Sequence, residues 1–301
     1  MQDFLDRSIG EVFGAERTSF LGSTLIESTK QAYAVCEQAV KEPDEAFLAW
    51  IDSQPDAQHN PLRFFYCHGS HASAHLLMNV QDHTETLAHL FADPTAQAHV
   101  WSYTSIARVA VENACLFSEL VDRKATPAKR ILRYLAIVLD DAQALARIVN
   151  DLNKRQPGND NNRELSAMAE KFMKKVCLHA ENAGIELKKG NRDRITCLRW
   201  DDHSCPIKFN MTELIGRRLV HFPEAYRVGS AVVHGQRHML LTERTNKEIL
   251  APYDIGVPIN ATIMCLGALH AMVRACGDQE NTRYLGQLHE QMKQIATMRQ
   301  L

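Results

Sequence analysis

An arginine and a histidine in the last third of the chain have residue types and a spacing that could do chemistry. Arg227 and His234 lie seven residues apart in the stretch YRVGSAVVHG, residues 226–235. Seven residues are about two turns of an α-helix, so both side chains would lie on one helix face. The guanidinium could hold a phosphate through two hydrogen bonds, and the imidazole could act as a general acid or base.

The residues around this pair extend the candidate site. Ser230 precedes His234 by four residues and would share its helix face, so it joins Arg227 and His234 as a candidate catalytic residue. Tyr226 stands beside Arg227 and is a candidate binding residue. The small residues between Arg227 and His234 would let a ligand or a second helix approach closely.

The stretch resembles the Arg-x4-6-His motif of the HEPN superfamily, and the resemblance covers the C-terminal part of the chain. It implies a helical domain that forms a homodimer and cuts RNA without a metal ion or cofactor, in a defence or toxin system. It also implies roles for two residues. His234 would take a proton from a ribose 2′-hydroxyl, and Arg227 would stabilise the charge that builds on the phosphate. The family commonly has a polar residue after the arginine, where this chain has Val228.

The same motif occurs a second time near the C-terminus. Arg283 and His289 are separated by five residues. Two matches in one chain show that the spacing arises readily. The alternative for each match is an arginine and a histidine on a solvated or interface face of a helix.

A second candidate pair lies in the middle of the chain. Arg108 and Glu112 are four residues apart in a helical stretch that is otherwise largely apolar. They form either a simple ion pair within one helix or part of an internal polar cleft, where they would bind a ligand. The chain is also similar to uncharacterised bacterial helical proteins that have an Arg-x3-Glu helix and a later Ser/His-Gly helix. That similarity implies a shared fold and no particular activity.

A stripe of histidines is the third candidate. His68, His71 and His75 recur at spacings of three and four residues, followed by Asn79 and Asp82. Three imidazoles and a carboxylate could bind zinc or iron, but their positions along one helix do not close a coordination sphere around one ion. We therefore predict no metal. His71 and His75 stay candidate binding residues on a face that lines a cleft or is solvated.

Helical periodicity dominates the elements that must position these residues. It predicts helices over residues 18–42, 44–50, 61–91, 96–121, 127–154, 163–182, 211–220, 223–243, 258–276 and 279–299. Residues 185–210 break the pattern and predict a loop or small hairpin. The fold class is therefore all-α, a multi-helix bundle with a small irregular or β-hairpin insertion. The linker QPGNDNN, residues 156–162, predicts an N-terminal helical half, 1–157, and a C-terminal HEPN-like half, 158–301, packed as one assembly.

Composition limits where the protein acts and on what. The formal net charge is −2, so the surface as a whole is not a basic nucleic-acid-binding surface, although a local basic patch is compatible with it. We expect no secretory signal and no apolar run long enough to span a membrane. The eight cysteines include no CxxC pair and lie mostly in apolar helical patterns, which is typical of a reducing cytoplasm.

Three classes of function are compatible with these residues. The first is a HEPN-like ribonuclease that uses Arg227 and His234. The second is a small-molecule enzyme or binder with a central cleft lined by His71, His75, Arg108 and Glu112, with His234 as a further candidate for its lining. The third is a non-catalytic helical interaction protein. Near-neutral charge favours the second and third classes over free RNA binding.

Overall fold

The computed structural model describes residues 7–42, 44–98, 100–191, 194–219 and 247–297. Helix accounts for 79% of the structure, with one small antiparallel sheet, so the predicted all-α class with a β insertion is confirmed. The chain forms two compact units. The first contains Met1–Lys41, His75–Val121 and Met211–Leu301, and the second contains Glu42–Ala74 and Asp122–Asn210. Neither unit is a continuous half of the chain.

In the described residues, the elements are helices except for one run of three strands after the seventh helix. They are α1 (Ile9–Phe13), α2 (Ala15–Lys41), α3 (Glu45–Asp52), α4 (Asp56–Ala92), α5 (Val100–Val121), α6 (Pro127–Arg155), α7 (Asp160–Asn182), β1 (Glu186–Lys189), β2 (Ile195–Trp200), β3 (His203–Pro206), α8 (Met211–Arg218), α9 (Lys247–Cys276) and α10 (Gln279–Thr297). Helix α4 is shared: its residues up to Ala74 belong to the second unit, and those from His75 belong to the first.

Helix α9 is the centre of the first unit. It packs against α2, α5 and α10, while α5 also contacts α8. Its residues Val257–Cys276 are long and apolar enough to cross a membrane, so the expectation that no such run exists is wrong. Most of this run is buried inside the unit, as is the core helix of a soluble protein. A helix surrounded by other helices must be apolar on every side, which explains its composition.

Close approach of α2 and α4 also holds the first unit together. A Cβ atom on Gly22 of α2 would lie 2.5 Å from the Ala92 backbone nitrogen and 2.7 Å from the Ala88 carbonyl oxygen. Only a glycine fits there, because any other residue would force the two helices apart.

Helix α6 organises the second unit. Thr126 accepts a hydrogen bond from the Lys129 backbone nitrogen at 3.4 Å, and Pro127 occupies the first helical position, as the sequence predicts. One face of α6 is buried and includes Ile131, Leu135 and Leu139. This helix packs on α7, β2 and β3.

Residues 185–210 form a three-stranded antiparallel sheet in the order β1-β2-β3. Trp200 pairs with His203, so Asp201 and Asp202 are the two-residue turn between β2 and β3. Asp201 has a φ of 48°, in the left-handed region that two-residue hairpin turns use. The predicted loop or small hairpin is therefore a hairpin with one further strand.

Candidate functional site

Charged side chains line one face of α5 in the first unit. Arg108, Glu112, Cys115 and Glu119 follow at spacings of four, three and four residues, which place them on one side of the helix. The Arg108 Nε donates a hydrogen bond to the Glu112 Oε1 at 2.8 Å. Their side chains are only 14% and 28% exposed, so this ion pair is sheltered from water. The spacing of four residues between Arg108 and Glu112 thus corresponds to a direct ion pair in the structure.

Glu119 continues this face into the interior of the unit. Its side chain is 4% exposed, and its Oε2 accepts hydrogen bonds from the Nε and Nη2 of Arg218, at 3.0 and 2.6 Å. The Arg217 Nη2 lies 3.9 Å from the other carboxylate oxygen. Transfer of a carboxylate from water into the protein interior has a desolvation penalty on the order of several kcal/mol. Hydrogen bonds from the arginines offset this penalty for Glu119.

Helix α9 adds a third arginine to this arrangement. The Arg274 Nη2 donates to the backbone carbonyl of Arg218 at 2.8 Å. That carbonyl belongs to the last residue of α8, where the helix offers no partner of its own. Arg274 therefore fixes the end of α8 on α9, while Glu119 fixes it on α5.

We call these side chains the charged cluster. It comprises Arg108, Glu112, Glu119, Arg217, Arg218 and Arg274. The Cys115 thiol lies in the field of four of them: Arg218, Glu119, Arg274 and Glu112. Burial raises the pKa of this thiol to about 12, so Cys115 stays protonated at neutral pH. It is a packing residue of the cluster and no nucleophile.

The three histidines of the stripe on α4 differ in exposure. His71 and His75 are exposed, whereas His68 is half-buried. The His68 ring lies 4.4 Å from Phe64 and 5.8 Å from Phe172 between ring centroids. Among the residues that the structure describes, no group of three or more His, Cys, Asp or Glu side chains is placed to hold a metal ion.

An aromatic and histidine cluster in the second unit was not predicted from the sequence. Phe64 of α4 stacks on His179 of α7 at 4.4 Å, and the Lys175 Nζ lies 4.9 Å from the Phe64 ring centroid. Burial, followed by the nearby charge of Lys175, lowers the pKa of both His68 and His179. The Nδ1 atom of His179 is buried with no hydrogen-bond partner. Phe172, Lys175 and His179 share one face of α7, which is the pattern that would have indicated them.

The two residues of the second Arg-and-His motif do not face the same way. On α10, Arg283 is exposed, whereas His289 is 4% exposed and lies against Gly267 of α9. Six residues correspond to a rotation of about 240° around a helix, so the two side chains point in different directions. His289 is a core residue of the first unit.

The first motif lies outside the described residues. Tyr226, Arg227, Ser230 and His234 fall within 220–246, directly after α8 and before α9. Their roles stay predictions from the sequence. The structure describes the chain just before this segment: α8 ends at Arg218, which belongs to the charged cluster.

Comparison with known proteins gives no relative for this chain. No protein-family model, no curated protein and no solved structure matches it.

Proposed function

We propose that this protein is a HEPN-like, nucleic-acid-associated helical protein that cleaves RNA without a metal ion, in the cytoplasm, as part of a defence or toxin system. The buried ion pair between Glu119 and Arg218 supports the proposal most. It anchors the end of α8, nine residues before Arg227, on a face that is rich in arginine. The residues just before the segment of Arg227 and His234 are thus held in place on a charged surface.

The energetics of the charged cluster favour a functional role. Buried ion pairs contribute little net stability, because desolvation offsets their attraction. Charged groups kept in a protein interior therefore occur often at sites that bind or transform a ligand. Arg217 is 55% exposed, so its guanidinium is accessible to an RNA phosphate at the edge of the cluster.

The mechanism uses acid–base chemistry. His234 takes the proton of a ribose 2′-hydroxyl, and the 2′-oxygen forms a bond to the adjacent phosphorus. The bond from phosphorus to the 5′-oxygen breaks, and the departing 5′-oxygen takes up a proton from water to leave as a 5′-hydroxyl. A 2′,3′-cyclic phosphate remains on the other product. Arg227 donates hydrogen bonds to the phosphate oxygens on which charge accumulates.

Direct RNA binding and cleavage test this function. Labelled single-stranded RNA is incubated with the protein in EDTA, and the 3′ ends of the products are identified. We expect cyclic phosphate ends. Arg217→Glu should weaken RNA binding and lower the slope of log affinity against log salt, because a phosphate contact is lost. Intact RNA after incubation at high protein concentration would contradict the proposal.

A small-molecule binder is the second candidate function. The sheltered ion pair of Arg108 and Glu112 favours it, since a half-buried pair on α5 provides polar groups inside the first unit. In this function a small anionic ligand, rather than RNA, would contact the arginine. A thermal shift with small anionic metabolites, lost in Arg108→Ala and accompanied by no RNA cleavage, would support it over the nuclease.

A further inference from the structure

Six of the ten exposed large apolar side chains in the described part of the chain lie in one helical hairpin. Helices α6 and α7 pack together and are joined by residues 156–159. Five of these six side chains lie between positions 145 and 168, with exposed fractions from 37% to 61%. They are Leu145, Ile148 and Leu152 on α6, and Leu165 and Met168 on α7. We call them the hairpin stripe.

The hairpin stripe has the spacing of a helix–helix contact. Leu145, Ile148 and Leu152 recur after three and four residues, which places them along one side of α6. This side differs from the buried side that holds Leu135 and Leu139. A helix at the surface of a soluble protein normally has one apolar side, and the side away from the core is polar. The second apolar side of α6 therefore indicates an interaction surface.

The charges next to the stripe identify the partner. Asp141 lies four residues before Leu145, Arg155 lies three residues after Leu152, and both are exposed. The midpoint of the α6 part of the stripe, from Leu145 to Leu152, falls between positions 148 and 149. When two α6 helices pair in antiparallel directions around that midpoint, position 141 of one lies opposite position 156 of the other. The acidic end of each helix then meets the basic end of its partner.

We propose that the hairpin stripe is the contact through which two copies of this chain associate, with their α6 helices antiparallel around a two-fold axis near Ile148. Each copy contributes an antiparallel helix pair, so the contact forms a four-helix bundle. The partner is a second copy because one helix carries both the acidic and the basic end that the contact needs. The inference uses only the second unit and is independent of the chemistry proposed for Arg227 and His234.

The mass of the protein in solution tests the proposal. Sedimentation velocity over concentrations from about 1 to 100 µM should show a dimer for the natural chain. Ile148→Asp should weaken the dimer about tenfold or more, because a carboxylate would be buried without a partner. Leu178→Asp is the matched control: Leu178 is 55% exposed on α7 and lies outside the stripe, so its replacement should leave the dimer intact.

A charge exchange tests the two-fold arrangement. Asp141→Arg and Arg155→Asp should each weaken the dimer, since each places like charges across the axis. The two changes in one chain should restore it, while circular dichroism confirms that every variant is folded. A natural chain that is monomeric at every concentration, an Ile148→Asp dimer as tight as the natural one, or a double variant that does not recover would overturn the proposal. Arg227→Lys should leave the mass unchanged, which separates this contact from catalysis.

Discussion

The carboxylate of Glu119 is buried in α5 and is hydrogen-bonded to Arg218 from a helix that lies far away in the sequence. Removing one member of a buried ion pair leaves the other charge without compensation. We expect Glu119→Ala to lower the free energy of unfolding by about 3–5 kcal/mol, measured by urea denaturation. Asp151→Ala is the control. It removes an exposed pair with Lys154 and should change stability by less than about 1 kcal/mol. Equal effects of the two variants would contradict the structure at Glu119.

His68 and His179 make stability depend on pH. Their pKa values are lowered in the folded protein, by burial first and then by Lys175, so the unfolded chain binds protons more readily. These two histidines therefore favour the folded state most at a pH above 6.5, their ordinary pKa. Their contribution to the free energy of unfolding is lost as the pH falls below 6.5. We expect the urea midpoint to decrease between pH 7.5 and 5.5.

Replacing His179 by Phe tests this cause. The ring still stacks on Phe64, but no proton can be added and no buried Nδ1 remains without a partner. His179→Phe should therefore reduce the loss of stability at pH 5.5 relative to the natural chain. His89→Gln, at an exposed histidine of α4, should leave the pH dependence as it is. A His179→Phe profile identical to that of the natural chain would refute this explanation.

Among the helices, alanine at Gly69 and alanine at Gly216 should change the free energy of unfolding in opposite directions. A Cβ on Gly69 of α4 would lie 2.1 Å from the Tyr134 ring of α6, whereas a Cβ on Gly216 of α8 would meet nothing within 4 Å. Gly69→Ala should lower the free energy of unfolding by about 1–3 kcal/mol, because the buried ring has to move. Gly216→Ala should raise it by about 0.5–1 kcal/mol, since alanine favours the helix. Thermal or urea unfolding measures both, and a stable Gly69→Ala protein would show that α4 and α6 are not this close.

The helix ends show what local sequence can predict. The Thr126-Pro127 start of α6 and the Ala183-Gly184 end of α7 are where local chemistry places them, with Gly184 at a φ of 74°. Pro61 and Pro258 were predicted as helix starts, and both predictions are wrong. Pro61 lies inside α4, because the Pro55 carbonyl already accepts hydrogen bonds from Gln58 and His59.

Helix α9 continues through Pro258 for a different reason. It starts at Lys247, and its residues after the proline form the core of the first unit. Burial of that apolar run outweighs the one backbone hydrogen bond that a proline removes. A proline in a helical pattern marks a helix start only where tertiary packing does not extend the helix past it. Local sequence does not reveal which residues will be packed in the core.

At the scale of the whole molecule, long-range contacts separate what was predictable from what was not. The Arg108–Glu112 contact follows from a spacing of four residues. The Glu119–Arg218 contact joins positions 99 residues apart, and no periodicity indicates it. An isolated glutamate within the apolar run LFSELV was the one sign that Glu119 needs a buried partner. The two units likewise combine separated stretches, which composition and linkers along the chain do not reveal.

The proposed role of His234 as general base is tested by the rate at which the protein cleaves RNA in the absence of metal. Initial rates in EDTA are compared for the natural chain, His234→Ala and Arg227→Lys, with Arg283→Lys as the control at an exposed arginine of the second motif. We expect His234→Ala to lose about 10²–10⁴-fold, the contribution of a general base. Arg227→Lys should also fail, because lysine lacks the bidentate fork, while Arg283→Lys should cut at the natural rate. Full cleavage by His234→Ala, with helicity unchanged, would contradict the account.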